Sequence, residues 1–385
     1  MQRILANYTT RDMQKVLRFL LVLALTIPFT SFSTEHEEDH GDHNAPAKEL
    51  TADEQREKNL EFVKHHTKDS HDFGIFADES EHKHYGFPLP VILWTDNGLV
   101  TFSSAAFNHD DSGKEIVEQG GQKFTKHHGK IYQLEEGAEK LEFDNEHHPT
   151  NAKAILLDFS ITKNVFVTIL MCILLFFLFR GVAKSYKNGL APSGSAKFFE
   201  PIIVFVRDEI AIPNIGERHY RKYMPYLLTV FFFIWFLNLA GMTPLGINVT
   251  GNIALTSALA IMTYLITTFT AKKDYWMHIF WMPGVPWPMK IVLAPIELLG
   301  TFIKPFALMI RLYANMLAGH LVLGALIAAV FYFNAVAAKG AFVGLTFFLN
   351  LIELLVALLQ AYIFTMLTAL YFGSAAEEHD HSHAH

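Results

Sequence analysis

Apolar residues gather into long blocks in the C-terminal part of the chain and alternate with polar residues only in a stretch before it. Five blocks approach or exceed the ~20 helical residues that cross the ~30 Å hydrocarbon core of a bilayer. They run over 161–179, 226–240 with its flanks, 253–271, 291–333 and 342–372. The last two exceed an ordinary span and predict long, tilted helices. Between the first two, FFEPIIVFVRDEIA (198–211) is apolar on one side and groups Arg207, Asp208 and Glu209, which predicts an interfacial amphipathic helix rather than a span.

Ahead of these blocks the period changes. The stretch FPLPVILWTDNGLVTFSSAAF (87–107) reads strand, turn, strand, with Asp96-Asn97-Gly98 as the turn. KFTKHHGKIYQL suggests a second pair about Gly129-Lys130. Together they predict a small β-rich domain over 73–150. Residues 34–72 are acidic, His-rich and poor in apolar side chains, which predicts a segment without fixed structure. At the N-terminus, Arg11, Lys15 and Arg18 precede the short apolar run 19–29, and Ser31 and Ser33 follow. That is the pattern of a secretory signal peptide over 1–33. The expected fold is therefore an all-α polytopic membrane protein of about five membrane-embedded helices plus an interfacial helix. It carries a small β-rich extracytoplasmic N-terminal domain. The membrane domain spans 155–373 and a His-rich tail spans 374–385.

Charge divides the chain the same way. Residues 34–150 hold 26 Asp/Glu against 11 Lys/Arg and 13 of the 20 His, whereas 151–385 hold 16 Lys/Arg against 11 Asp/Glu. Eight basic residues (Arg180, Lys184, Lys187, Lys197, Arg207, Arg218, Arg221, Lys222) separate the first two blocks, and Lys272, Lys273 and Lys290 separate the third and fourth. The loop 242–252 has no charge and the loop near 334–341 only Lys339. The positive-inside rule puts the two basic loops in the cytoplasm, so five crossings leave the N-terminal domain outside and the C-terminus inside. A single cysteine, Cys172, excludes a disulfide framework or a multi-Cys metal site. No basic, aromatic-interleaved face speaks for nucleic acid.

Ionisable residues inside membrane spans are costly and mark function. Glu297, Lys304, Arg311, His320 and Glu353 lie in the last two blocks. Lys304 precedes Pro305 and can snorkel. Arg311 sits about 20 residues from either end of its block and stays protonated when buried. An unpaired guanidinium there costs ~2.5–3.5 kcal/mol on insertion scales. No carboxylate lies within a turn or two of it in the chain, so its anionic partner is sought in another protein. Asn315, four residues on, shares its helix face; His320, nine on, faces elsewhere; Glu353 and Gln360, seven apart, share a face of the last block. His320 and Glu353 then line a separate hydrated path, or else serve as interhelical hydrogen bonds.

At these residues the sequence resembles a known family. KPFALMIRLYANMLAGH followed by ELLVALLQAYIFTMLTALYF resembles the a subunit of the membrane sector of rotary F-type ATP synthases, with FRGVAKS and IELLGTFIKP in support. The resemblance implies a non-catalytic stator proton channel, with no cofactor, in a bacterial inner membrane. The implied partners are the ring of c subunits, the b-subunit peripheral stalk and the remaining synthase subunits. It implies that Arg311 is the essential stator arginine, that Asn315 and Gln360 are its polar neighbours, and that Glu297 sits near the cytoplasmic proton path. Many bacterial members carry Glu where this chain has His320 and His where it has Glu353; the acid–imidazole pair is retained in exchanged order.

A divalent-metal transporter is the competing reading, prompted by the His-rich exterior and the tail HDHSHAH. It fails because no ligand cluster lies within one span and a central Arg repels a cation. The His pairs (65–66, 127–128, 147–148) are poor shared-ligand geometry, since neighbours point apart on strand and helix alike. No nucleotide or protease motif occurs.

Overall fold

The computed structural model describes residues 69–376 apart from 79–82, 109, 136, 139, 144–148, 156, 188–195, 244–247, 282–284 and 333–334. The proposed signal peptide, most of the acidic segment, and the end of the tail lie outside the described residues. Among the described residues the chain divides into two compact units, one over 69–170 with Thr243 and Asn248, the other over the remainder from Met171.

The first unit is built on β-strands. β1 (Asp72–Asp78) pairs with β2 (Lys83–Pro88); β3 (Pro90–Thr95) pairs with β4 (Gly98–Ser103). β5 (Ser112–Gln119), β6 (Gln122–His127), β7 (Lys130–Leu134) and β8 (Ala152–Ala154) follow in order as a four-stranded antiparallel sheet. β9 (Leu157–Asp158) returns to the free edge of β3. Both expected hairpins are present. The second turns on His128 and Gly129, with φ of 51° and 78°; two successive left-handed residues match the twist of the flanking strands. Val91 and Leu93 of β3 meet Val100, Phe107, Val117, Phe124 and Ile131 in one core. β8 and β9 lie past residue 150, so the sheets take in more chain than the alternation showed.

Asp69–Asp72, placed by composition in a segment without fixed structure, are ordered, because their charges have partners. Asp69 accepts from the Asn164 N–H (3.0 Å) and the Thr162 hydroxyl (2.9 Å) at the start of helix α1 (Lys163–Lys187). A carboxylate at a helix N-terminus satisfies donors that the helix leaves open. Burial pushes the Asp69 carboxyl up despite these bonds. Buried His71 lies 3.1 Å from Asp158, and Lys126 pairs with Asp72 at 2.8 Å. Phe73 and Phe87 stack at 4.9 Å, and both meet the edge of Phe166 in the first turn of α1.

The second unit is helical. α2 (Ala196–Phe205) passes through a π-helical turn, Val206–Ala211, into α3 (Ile212–Ile215). Arg207 grips Asp208 within that turn. α4 (Tyr220–Gly241), α5 (Ile253–Thr270), the short α6 (Lys273–Phe280), α7 (Trp287–Tyr332) and α8 (Val336–Ala376) follow. Among the described residues five helices, α1, α4, α5, α7 and α8, are long and apolar enough to span a membrane. At 46 and 41 residues, α7 and α8 are ~69 and ~62 Å long. Neither crosses ~30 Å of hydrocarbon upright without projecting far beyond it. α4 is buried on nearly every side, with Leu227, Phe231, Phe232, Ile234 and Leu237 almost inaccessible. It packs on α8, which also packs on α7.

Candidate functional site

The site forms where α7 and α8 run together beside α4. Leu308, Leu312 and Met316 turn inward from α7 and seal that seam. Arg311 and Asn315, one turn apart, are exposed on its flank, alongside exposed Ala307, Ala314 and Ala318. No carboxylate lies within ion-pair distance of Arg311 among the described residues.

Asn315 and Gln360 come together. The Asn315 amide donates to Gln360 Oε1 at 2.9 Å, and Gln360 is buried. Between helices a neutral hydrogen bond of this kind favours one register, here with the buried Gln360 as acceptor. Glu353 lines the same small cleft, with Asn238 and Met242 from the α4 end and Leu312, Asn315 and Met316 from α7. The helix-phase reading put Glu353 on a path separate from Asn315; the structure instead gathers Glu353, Asn315 and Gln360 around one cleft. Gly319 is the reason. A Cβ there would strike Glu353 Oε1, with Cδ at 3.1 Å, so only glycine lets the carboxylate lie against α7. Glu353 Oε2 is buried and has no hydrogen-bond partner among the described residues. His320, the next residue, is half-buried.

Asn238 is a site residue that sequence reasoning missed. Its amide donates to the Ala357 carbonyl (3.4 Å) and accepts from the Thr250 hydroxyl (2.9 Å). The signal was available: one Asn inside the apolar run FFFIWFLNLA.

Glu297 stands apart, fourteen residues before Arg311 and so ~21 Å along the axis. Its charge acts on Tyr275 of α6, whose hydroxyl is pushed up by burial first and then by Tyr264 and Glu297. Tyr275, Tyr264, Thr301, Lys304, Tyr371 and Ser374 line a second polar cleft, with the Lys304 ammonium 5.8 Å from the Tyr371 ring centre. No three potential metal ligands converge among the described residues; the His127 and His128 rings meet at 4.1 Å, tilted by 56°, rather than pointing apart, and His127 also meets Phe143 at a tilt.

Five apolar helices, an exposed arginine and an acid–amide cluster between two of the helices define a polytopic membrane protein that holds charge within its spans. The family model for the ATP synthase A chain matches residues 165–373, more than half of the chain, and the chain belongs to that family. Residues 62–159 match a domain of unknown function (DUF8433). ATP synthase subunit a 2 of Chlorobaculum tepidum is 43% identical over 237 residues, covering 59% of this chain and 66% of the relative. Subunit a of Anaeromyxobacter sp. (strain Fw109-5) is 41% identical over 238 residues, covering 60% and 57%. That of Myxococcus xanthus is 43% identical over 240 residues, covering 60% and 78%. The chain thus spans just under two thirds of the first of these relatives and just over half of the second.

Proposed function

We propose that the chain is the stator proton channel of a rotary ATP synthase, passing protons through two half-channels to and from carboxylates on a rotating ring. The observation that carries this reading is Arg311: a permanent charge on an exposed helix face with no carboxylate at ion-pair distance among the described residues. The alanines flanking it, Ala307, Ala314 and Ala318, allow a foreign helix to approach closely. A ring carboxylate arriving there meets a fixed positive charge, which lowers its pKa and releases its proton. The same charge bars a proton from hopping directly between the half-channels. Each charge crossing ~100 mV supplies about 2.3 kcal/mol, the source of rotation.

Asn315 and Gln360 hold the arginine face in register. Glu353 and His320 are proton carriers beside that face: Glu353 has a buried oxygen free to take a proton, and imidazole titrates near neutrality. Glu297 serves the cytoplasmic end through the second polar cleft. The b-subunit stalk and the c ring are the partners, the first unit is extracytoplasmic and the C-terminus cytoplasmic; the loop charges support this orientation. Nothing in the structure or the relatives favours metal transport.

The test is Arg311→Ala in the assembled complex. Proton-driven ATP synthesis is expected to vanish with subunit levels retained, and Arg311→Lys to fail as well, because a compact ammonium lacks the planar fork. Normal synthesis in Arg311→Ala would overturn the assignment.

A further inference from the structure

The two main sheets of the first unit have unlike outer faces. On β5 and β7 the exposed positions include Lys114, Glu115, Glu118 and Lys130, a solvated surface. On β3 the strand is apolar on both sides. Val91 and Leu93 turn into the core, while Pro90 and Trp94 are exposed and Ile92 is half-buried. Trp94 lies directly opposite Leu99 of β4, and they are 56% and 58% exposed. Phe159 follows β9, donates its N–H to the Ile92 carbonyl at 2.9 Å, and is 60% exposed. A sheet that is apolar on both faces is ordinarily covered on both, and adjoining aromatic and aliphatic side chains of this kind mark an interaction surface.

The position of the face says what covers it. Phe159 is four residues ahead of Lys163, the first residue of α1, and so within ~14 Å of the start of that span. Ile161, between them, donates to the Pro90 carbonyl at 3.0 Å, so β3 is tied to the connector on both sides of Phe159. Asp69 and the Phe73–Phe87–Phe166 cluster fasten the same strands to the first turn of α1. The apolar face therefore adjoins the first turn of α1. Trp and Phe with a neighbouring Leu are the side chains that settle at the headgroup level. The charge at the hairpin tip, Asp96, is paired with Lys153 of β8 at 3.2 Å.

We propose that this face is a membrane-surface anchor: Ile92, Trp94, Leu99 and Phe159 lie against the phospholipid interface where α1 begins, with the β4-β3-β9 sheet face down. The headgroup zone adds only about 5–8 Å on each side of the hydrocarbon. Trp94 and Leu99 lie two residues, ~7 Å, beyond Ile92 along β3, so a sheet standing on end leaves them in water. The orientation of the sheet is what the experiment reads.

The full chain, with Cys172→Ser, is placed in phosphatidylcholine nanodiscs and spin-labelled at Leu99→Cys or, as reference, at Glu118→Cys on the solvated sheet. Collision of each label with oxygen, which concentrates in lipid, is compared with collision with a water-soluble nickel chelate. The ratio of oxygen to nickel collision is expected to be at least about threefold higher at position 99 than at 118, as for a side chain at the headgroup level. Adding Trp94→Glu to the Leu99→Cys chain should return its ratio to that of position 118, and both substituted side chains are exposed, so the strands survive the change. Equal ratios at 99 and 118 would overturn the proposal. So would protection of position 99 from both reagents, which would mean that protein covers the face.

Discussion

Gly319→Ala separates the geometry of the cleft from its mere composition. The added Cβ would strike Glu353 Oε1, with Cδ at 3.1 Å. The obstacle is the end of a flexible side chain, so the carboxylate gives way by about 1 Å to regain ordinary contact distances. Turning Glu353 off its rotamer costs ~0.5–1.5 kcal/mol. Replacing a mid-helix glycine by alanine returns ~1 kcal/mol. The two nearly cancel, and normal abundance is expected. Function should not be spared: a 1 Å displacement of a group that takes part in chemistry can cost ~10²-fold in rate. The assay is proton pumping by inverted vesicles, normalised to the amount of subunit present. Gly373→Ala is the contrasting control, because its Cβ would strike the carbonyl oxygen of Asn214, with the carbonyl carbon at 3.0 Å. Backbone cannot rotate aside, so α8 and α3 must part, at ~1–3 kcal/mol or more, and abundance should fall. Normal pumping by Gly319→Ala at normal abundance would refute the claim that the position of Glu353 matters. Equal loss of abundance in both variants would refute the distinction between a yielding side chain and a rigid backbone.

Three further outcomes follow from the same reasoning. Asn315→Leu strands the buried Gln360 amide at ~1–3 kcal/mol, and adding Gln360→Leu should cost less than the sum of the two singles, read from thermal unfolding in detergent; strict additivity would deny the bond between them. In a Cys172→Ser background, a cysteine at Glu118 should react with an impermeant maleimide from outside the cell membrane and one at Lys184 only after permeabilisation, and the reverse pattern would invert the topology. Burial tends to raise the Asp110 carboxyl, but the Ser112 hydroxyl and the N–H groups of Glu115, Ser112 and Lys114 prevail and hold it at about 2, below the unfolded value of ~3.9. Its stabilisation is therefore present above pH ~4 and lost as pH falls towards 2; Asp110→Asn should flatten that arm when exchange of the β5 amides in the full chain is followed from pH 5 to 2, and an unchanged acid arm would assign it to other groups.

What the sequence disclosed and what it hid divide along a physical line. Properties of a single element were legible. Block length set the five spans, the two-residue turns set the hairpins, and a rotation of ~100° per residue put Arg311 and Asn315 on one face. Properties that depend on the meeting of two elements were not. Helix phase fixes the direction in which Glu353 points around α8, but not which residue of α7 its carboxylate meets. Here it meets Gly319, whose missing side chain leaves it room, and a glycine in an apolar run reads as nothing more than a weak helix former. Phase alone set Glu353 apart from Asn315; the structure has both lining one cleft. Asp69–Asp72 escaped for the same reason. Their composition is that of an unfolded chain, and their order comes from Asn164, Asp158 and Lys126, residues 95, 87 and 54 positions away from Asp69, His71 and Asp72 respectively. Composition counts charges; it does not see whether each has a partner, and a charge with a partner and a helix end to cap is as good a structural residue as a leucine. Arg311 is the converse case. The chain within a turn or two of it holds no carboxylate, none lies at ion-pair distance among the described residues, and from this a partner outside the chain is proposed.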